Sequence, residues 1–239
     1  MGAVVDRTPH RRGARAFAVV ISVAAGVGLA ACSPSGGSGP QGATGPAETS
    51  PSTDATAPSA ATTSFAVVGD SITDANSPDL AGGELGSESW VTSAVEAGLD
   101  FAGGWAEWGA TTAFMADSVS AYDADVLVVL AGTNDLAFGV PFDASAANLD
   151  RIVERVGIAD VVVSSIPPAD AFPAAAVEYN ERLGALADDR GWRFVDASAD
   201  LRTVDGRFAD GMSYDGLHPS EQGARALGEA IAAELLAGR

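Results

Sequence analysis

The sequence is short of the residues that form covalent cross-links and metal sites. Its 239 residues include one cysteine, Cys32, so an internal disulfide is excluded. There are only two histidines, His10 and His218, and no set of His, Cys and Asp residues has the spacing of metal ligands. We therefore expect an activity that needs no metal ion or other cofactor.

Basic residues are also scarce, and lysine is absent. All 13 basic residues are arginines, and 32 acidic residues outnumber them, which gives a formal net charge of −19. A surface this acidic repels nucleic acids and anionic membranes. We exclude DNA and RNA as partners, and we interpret the charge as a feature that favours solubility.

The apolar run at residues 16–31 is too short to cross a membrane comfortably. Four arginines precede it and small residues end it, so we expect a cleaved signal peptide over residues 1–31. The tetrapeptide LAAC, residues 29–32, resembles the lipobox of bacterial lipoproteins, which implies lipidation of Cys32. A plain signal peptide with a chance cysteine is the alternative, and Arg11-Arg12 leaves export by the twin-arginine route open.

Residues 32–63 consist almost entirely of Ser, Gly, Pro, Thr and Ala. They hold too little apolar bulk to offset the entropy of ordering, which predicts a flexible tether. Without the signal peptide, nine arginines face 31 acidic residues, a net charge of −22. We therefore expect the lipid, not the surface charge, to hold the protein at the outer face of the cell membrane. Residues 64–239 are enough for one domain with its own core.

The remaining residues alternate short apolar runs with helical patterns. Unbroken apolar runs are typical of strands covered on both faces, as in a parallel sheet. The runs are FAVV at 65–68, VLVVL at 126–130 and VVV at 161–163, with weaker ones at FAGG from Phe101 and RFV from Arg193. This alternation predicts a doubly wound α/β domain, in which ligands bind beyond the carboxyl ends of the strands.

Three helices between or after these strands are predicted by apolar spacing and by end signals. One buries Leu149, Ile152, Val153 and Val156, with Asp143 as its N-cap and Gly157 as its end. A second spans 174–190 and buries Val177, Leu183 and Leu186, and the last begins at Pro219 and buries Leu227, Ile231 and Leu235.

A serine follows the first predicted strand, in the segment GDSITD at residues 69–74. A serine on this turn is exposed at the ligand-binding edge of the sheet, but its hydroxyl needs a neighbouring base to become a nucleophile. Taken alone, the segment fits equally a plain turn in which the aspartate caps a helix.

Two further segments are predicted to reach the same edge. AGTND, residues 131–135, follows the third strand, and Asn134 there could direct its amide N–H at a developing oxyanion. EWGATTA, residues 107–113, follows the second strand and offers the unobstructed backbone N–H of Gly109. Each could also be an ordinary polar turn.

The segment YDGLHP, residues 214–219, holds the one histidine that remains after signal cleavage. A histidine acts as general base when a carboxylate accepts its other ring N–H and so fixes its tautomer. Asp215 lies three residues before His218 in the same turn, and Pro219 presets a helix start. The alternative is that His218 only caps the last helix.

The blocks GDS, GATT, GTND and DGLHP occur in this order along the domain. Together with the pair Tyr179-Asn180 and the strand FVD at 194–196, they make residues 65–236 resemble the SGNH, or GDSL, hydrolase family. The chain departs from that family's pattern at Gly104, where members often carry an asparagine about five residues before the second-block glycine.

The resemblance implies a three-layer α/β/α, flavodoxin-like fold with a five-stranded parallel sheet. It also implies that Ser71 is the nucleophile, His218 the base and Asp215 the residue that orients the base. The backbone N–H groups of Ser71 and Gly109 and the side chain of Asn134 would form the oxyanion hole.

We therefore expect a monomeric serine esterase that hydrolyses carboxylic esters, on small molecules, glycans or lipids, through an acyl-enzyme. Acyl transfer with the same triad is one alternative, and a non-catalytic binding lipoprotein on the same fold is another. Five aromatic residues could contact the acyl or sugar group, although at least two are expected to be loop anchors: Trp105, Trp108, Phe138, Phe142 and Phe172. Short loops favour an open site and small acyl groups.

Overall fold

The structure is a computed structural model that describes residues 62–238. The predicted signal peptide, the predicted lipidation site Cys32 and nearly all of the predicted tether lie outside these residues, as does His10. No helix within residues 62–238 is long and apolar enough to cross a membrane.

Five strands form one parallel sheet in the spatial order β2-β1-β3-β4-β5. The strands are β1 Ser64–Gly69, β2 Asp100–Ala106, β3 Val126–Leu130, β4 Asp160–Ser164 and β5 Arg193–Val195. All five lie where apolar runs predicted them. Strands β1, β3 and β4 are almost wholly buried, as apolar strands covered on both faces are, whereas the edge strands β2 and β5 are partly exposed and have the weaker runs.

Residues 62–238 contain seven α-helices and one 3-10 helix; the first six α-helices lie between strands, and the 3-10 helix and the last α-helix follow β5. The α-helices are α1 Ser71–Asp74, α2 Trp90–Glu96, α3 Thr112–Ser118, α4 Thr133–Phe138, α5 Phe142–Val156, α6 Pro173–Arg190 and α7 Glu221–Ala237, and the 3-10 helix is Ala199–Leu201. Successive strand residues face opposite sides, so Val68 and Val129 pack with α3, α5 and α6, whereas Val67 and Val128 pack with α2 and α7. This is the predicted three-layer α/β/α fold.

Three details of the predicted helices were wrong. Helix α5 has Pro141 at its N-cap, and Asp143 instead lies in the first turn, where it pairs with Arg182. Val177 is exposed, because α6 buries the side that carries Tyr179, Leu183 and Leu186. Helix α7 begins at Glu221, two residues after Pro219, and the hydroxyl of Ser220 caps it by accepting the Gly223 N–H at 3.2 Å.

The strand order places β1 beside β3 at the point where the chain changes direction across the sheet. The chain leaves β1 toward β2 on one side and then returns to β3 on the other. The two connections diverge and leave a crevice beyond the carboxyl ends of β1 and β3, where α/β proteins bind their ligands. Ser71 and Asn134 follow these two strands.

Candidate active site

Ser71 is the first residue of α1, directly after the turn that ends β1. The preceding residue, Asp70, is the N-cap, and its Oδ1 accepts the backbone N–H of Ile72 at 3.0 Å. Ser71 is buried, with 7% of its surface exposed, so the prediction of an exposed serine on this turn is wrong. Strand and cap together hold the hydroxyl in one place.

The structure brings the three predicted triad residues into one hydrogen-bonded chain. Ser71 Oγ lies 3.0 Å from His218 Nε2, and His218 Nδ1 lies 2.8 Å from Asp215 Oδ2. Ser71 and His218 are 147 residues apart in the sequence, whereas His218 and Asp215 lie in the same turn. The geometry is that of a serine paired with a general base whose tautomer is fixed by a carboxylate.

The turn that carries His218 is held by hydrogen bonds between its own side chains and its backbone. Asp215 Oδ1 accepts the N–H groups of Leu217 and His218 at 2.9 and 2.7 Å, and Ser213 Oγ donates to the His218 carbonyl at 2.7 Å. Since Ser220 caps α7, the alternative role of His218 as the helix cap is wrong.

Asp215 is kept ionised by the same contacts. Its side chain is 53% exposed. Partial burial tends to raise the pKa of Asp215, but the hydrogen bonds from His218 and Leu217 and the nearby imidazole together lower it. A carboxylate that stays charged can hold the histidine in the required tautomer over a wide pH range.

Hydrogen bonds of Asn134 link the segments that carry the other two predicted oxyanion donors. The N–H groups of Ser71 and Gly109 donate to no acceptor within residues 62–238, and Gly109 has a φ of 74°, a conformation that favours glycine. Asn134 Nδ2 donates to Asp70 Oδ2 at 3.1 Å and to the Ala110 carbonyl at 3.0 Å. Asn134 is thus bonded to the residue beside each of the two backbone donors.

A second contact fixes the Gly109 loop against the end of β3. Asp135, which is fully buried, accepts the Thr112 N–H at 2.9 Å and the Thr112 hydroxyl at 3.0 Å. Burial raises the pKa of Asp135 against these hydrogen bonds. The loop is therefore attached to the GTND segment at two points, Ala110 and Thr112.

The departure from the family pattern at Gly104 has a steric reason. A Cβ at this position would lie 2.4 Å from the carbonyl oxygen of Val67 and 2.5 Å from its Cγ2. Strand β2 approaches β1 there at a register shift between Phe65 and Val67. Only glycine fits, and the loop is supported by Asn134 and Asp135 instead.

Residues 67–226 match the family model described as the GDSL-like Lipase/Acylhydrolase family. The chain belongs to this family. The match contains all four blocks, from GDS to DGLHP, and covers more than half of the sequence. Comparison with curated proteins found no match.

Solved structures of GDSL proteins share the fold. A protein assigned to the G-D-S-L lipolytic family from Desulfitobacterium hafniense is 17% identical, with a TM-score of 0.61 over 72% of this chain and 98% of its own. A G-D-S-L family member from Veillonella parvula is 20% identical, with a TM-score of 0.56 over 74% and 98%. The acetylxylan esterase Axe2 from Geobacillus stearothermophilus, a catalytic mutant, is 19% identical, with a TM-score of 0.55 over 72% and 94%.

The GDSL site opens into a cavity of about 220 Å³ beside Ser71. Its apolar wall is formed by Ile72, Ala75 and Pro219, and its remaining lining is Asn76, Glu88, Trp108, Tyr214, Asp215 and His218. Asn76 Nδ2 donates to Glu88 Oε2 at 3.1 Å. Asn76, Glu88 and Tyr214 were not predicted, because residues 76 and 88 lie on a loop without periodic pattern. Tyr214 could have been suspected from its place beside Asp215.

Of the five aromatic residues considered, Trp108 alone lines this cavity. Its indole N–H donates to Asp74 Oδ1 at 2.6 Å, and its ring lies 5.4 Å from the His218 ring at an angle of 31°. Trp105, Phe142 and Phe172 pack against the core and anchor their segments, whereas Phe138 lies on α4 and is exposed.

Proposed function

We propose that this GDSL hydrolase is a serine esterase that cleaves carboxylic esters with small acyl groups through an acyl-enzyme. The observation that carries the proposal is the continuous hydrogen-bonded chain from Ser71 Oγ through His218 to Asp215. A serine in this arrangement is activated for attack on a carbonyl carbon.

The proposed reaction begins when Ser71 Oγ attacks the ester carbonyl and transfers its proton to His218 Nε2. The carbonyl oxygen becomes an oxyanion, and the N–H groups of Ser71, Gly109 and Asn134 stabilise it. His218 then donates the proton to the departing alcohol oxygen, leaving an acyl-Ser71 ester. Water attacks this ester with His218 again as base, which releases the carboxylic acid and restores the serine.

The cavity supports small acyl groups. Its volume of about 220 Å³ is below the roughly 300–1,000 Å³ of pockets that hold drug-sized ligands. No arginine lines it, and Glu88 and Asp215 contribute negative charge, so esters with an anionic group beside the carbonyl should bind poorly.

The test is turnover of p-nitrophenyl esters of increasing acyl length by the wild type, by Ser71→Ala and by Ser87→Ala. We expect activity that falls as the acyl chain lengthens, loss of turnover in Ser71→Ala, and wild-type rates in Ser87→Ala, an exposed serine outside the cavity. Undiminished turnover in folded Ser71→Ala would overturn the proposal. Products formed with an added alcohol acceptor distinguish hydrolysis from acyl transfer.

We also propose that the protein is exported and anchored to the outer face of the membrane by a lipid on Cys32. The LAAC tetrapeptide and the apolar run before it support this. Cys32→Ser should move the protein from the membrane fraction to the soluble fraction or leave the signal uncleaved. Incorporation of labelled fatty acid should be lost in this variant. Equal labelling of variant and wild type would contradict the anchor.

A further inference from the structure

We infer that Trp108 is a positioning residue that holds the His218 ring in place while Ser71 carries the acyl group. The inference rests on the proposed function, because the acyl-enzyme is the state in which this contact is needed. The four sequence blocks do not include Trp108, and the triad gives it no part in the reaction.

Trp108 connects the helix of the nucleophile to the ring of the base. Its indole N–H donates to Asp74 Oδ1 at 2.6 Å, and Asp74 is the last residue of α1, the helix that Ser71 begins. The Trp108 ring lies 5.4 Å from the His218 ring at an angle of 31°, within the range of packed aromatic pairs. The indole is therefore attached to α1 and packs against the imidazole.

Acylation removes one of the two hydrogen bonds of the His218 ring. In the free enzyme, Nδ1 lies 2.8 Å from Asp215 Oδ2 and Nε2 lies 3.0 Å from Ser71 Oγ. Once the Ser71 proton has left with the alcohol, Oγ is an ester oxygen and has no hydrogen to donate to Nε2. The ring can then turn about its hydrogen bond to Asp215. Packing against Trp108 opposes this rotation and keeps Nε2 directed at the ester that water attacks.

The position of Trp108 allows this role to be separated from a structural one. The side chain is 52% exposed and lines the cavity beside Ser71, so its removal should cost the core little. Trp108 precedes Gly109, but hydrogen bonds of Ala110 and Thr112 attach the Gly109 loop to the end of β3 independently of the indole. Loss of the indole should therefore change the packing on His218 and leave the loop attached.

The test compares acylation with deacylation on p-nitrophenyl acetate. The value of kcat/KM reports acylation, whereas the deacylation rate constant equals kcat divided by the fraction of enzyme present as acyl-enzyme at saturating substrate. Rapid acid quenching followed by mass measurement of the intact protein gives that fraction. In Trp108→Leu we expect the deacylation rate constant to fall about 3- to 10-fold, the strength of one aromatic contact, and kcat/KM to change less than about twofold.

Two further variants act on the same contact without removing it. Trp108→Phe keeps a ring that can pack against His218 but has no N–H, so its loss should be smaller than that of Trp108→Leu. Asp74 does not line the cavity, so Asp74→Ala frees the indole without changing what the substrate contacts, and it should slow deacylation in the same direction. In the Trp108→Phe background, Asp74→Ala should add no further loss.

Phe138→Leu is the matched control. Phe138 is 69% exposed on α4 and does not line the cavity, so the variant removes an exposed aromatic ring without touching the site. Both rate constants should stay at the wild-type values. Thermal unfolding of each variant shows whether it is folded, and Asp74→Ala carries the test if Trp108→Leu is not.

Equal losses in acylation and deacylation would overturn the inference, because they would show a general effect on the site. A lower kcat/KM with unchanged deacylation would do the same, since Trp108 would then only bind substrate. Additive losses in Asp74→Ala and Trp108→Phe, or no detectable acyl-enzyme in Trp108→Leu, would also contradict it. The proposed function fails separately, through Ser71→Ala: an enzyme that needs Ser71 but deacylates normally without Trp108 is still a serine esterase.

Discussion

Asp215 contacts His218 and Asp70 directly precedes Ser71, and the two carboxyl groups lie in opposite environments. Asp215 is 53% exposed and accepts hydrogen bonds from two backbone N–H groups and the His218 ring, which keep its pKa below the ordinary value. Asp70 is fully buried, accepts from one backbone N–H and one amide, and has a pKa raised to about 6. The same type of side chain therefore has a lowered pKa at position 215 and a raised pKa at position 70.

The difference shows that exposure and the number of hydrogen bonds decide whether the pKa of a carboxyl group is lowered or raised. Desolvation raises the pKa of Asp215, but its hydrogen bonds and the nearby imidazole outweigh that effect, so Asp215 suits the lasting task of orienting a base. Asp70 carries a desolvation penalty that the Ile72 hydrogen bond, the nearby His218 and the Asn134 hydrogen bond offset only in part. Its charge should therefore lower the stability of the fold, and the predictions below separate a large catalytic effect at Asp215 from a stability effect at Asp70.

The largest expected effect is that of Asp215→Asn on the rate. Asparagine can present its amide N–H to His218 Nδ1 and stabilise the wrong tautomer, which costs about 10⁴ in a serine protease. Because Asp215 is half exposed and water can take its place, we expect a loss of about 10³-fold in kcat. Steady-state kinetics on a small ester measures it.

The same variant should hardly change stability. The lowered pKa of Asp215 gives a stabilising contribution that is present above its unfolded pKa and is lost as the pH falls toward acid. At this exposure it amounts to less than about 1 kcal/mol. A free energy of unfolding several kcal/mol lower in Asp215→Asn would show that the turn, and not the charge, depends on Asp215.

The second effect is the pH dependence of stability in Asp70→Asn. The folded-state pKa is raised, so the native wild type binds the proton more tightly than the unfolded chain, and its relative stability is lost as the pH rises through about 6. The variant lacks this loss. Its stability relative to the wild type should increase between about pH 4 and pH 6 by up to about 3 kcal/mol, and then stay constant.

Denaturant unfolding of the two proteins across this pH range measures the difference, with Asp79→Asn as the control. The informative quantity is how the difference in free energy of unfolding changes with pH. The NH2 group at position 70 of the variant faces that of Asn134 and lowers the stability of the variant by the same amount at every pH. A flat difference would contradict the raised pKa of Asp70. If the stability difference rises with pH and kcat of Asp70→Asn is also lower, Asp70 reduces the stability of the fold but supports activity.

Much of the fold was predictable from the sequence because its determinants are local. The runs FAVV, VLVVL and VVV are apolar throughout and form strands covered on both faces. Gly157 and Gly191 end α5 and α6 in the left-handed conformation that favours glycine. The start of α5 was misplaced because its N-cap, Pro141, makes no side-chain capping hydrogen bond, and the start of α7 because Ser220, one residue after Pro219, caps it.

The four blocks of sequence determined which residue types stand at the site: a serine after the first strand, an asparagine after the third and an aspartate three residues before a histidine. Only the tertiary structure decided how they meet, since Ser71 and His218 are 147 residues apart and their 3.0 Å contact depends on the packing of α7 against the sheet. Burial is likewise a property of the whole fold. For that reason the sequence alone could identify GDS as a turn with a candidate nucleophile. The raised pKa of Asp70 and its hydrogen bond from Asn134 arise only because β1, β3 and the Gly109 loop enclose the side chain.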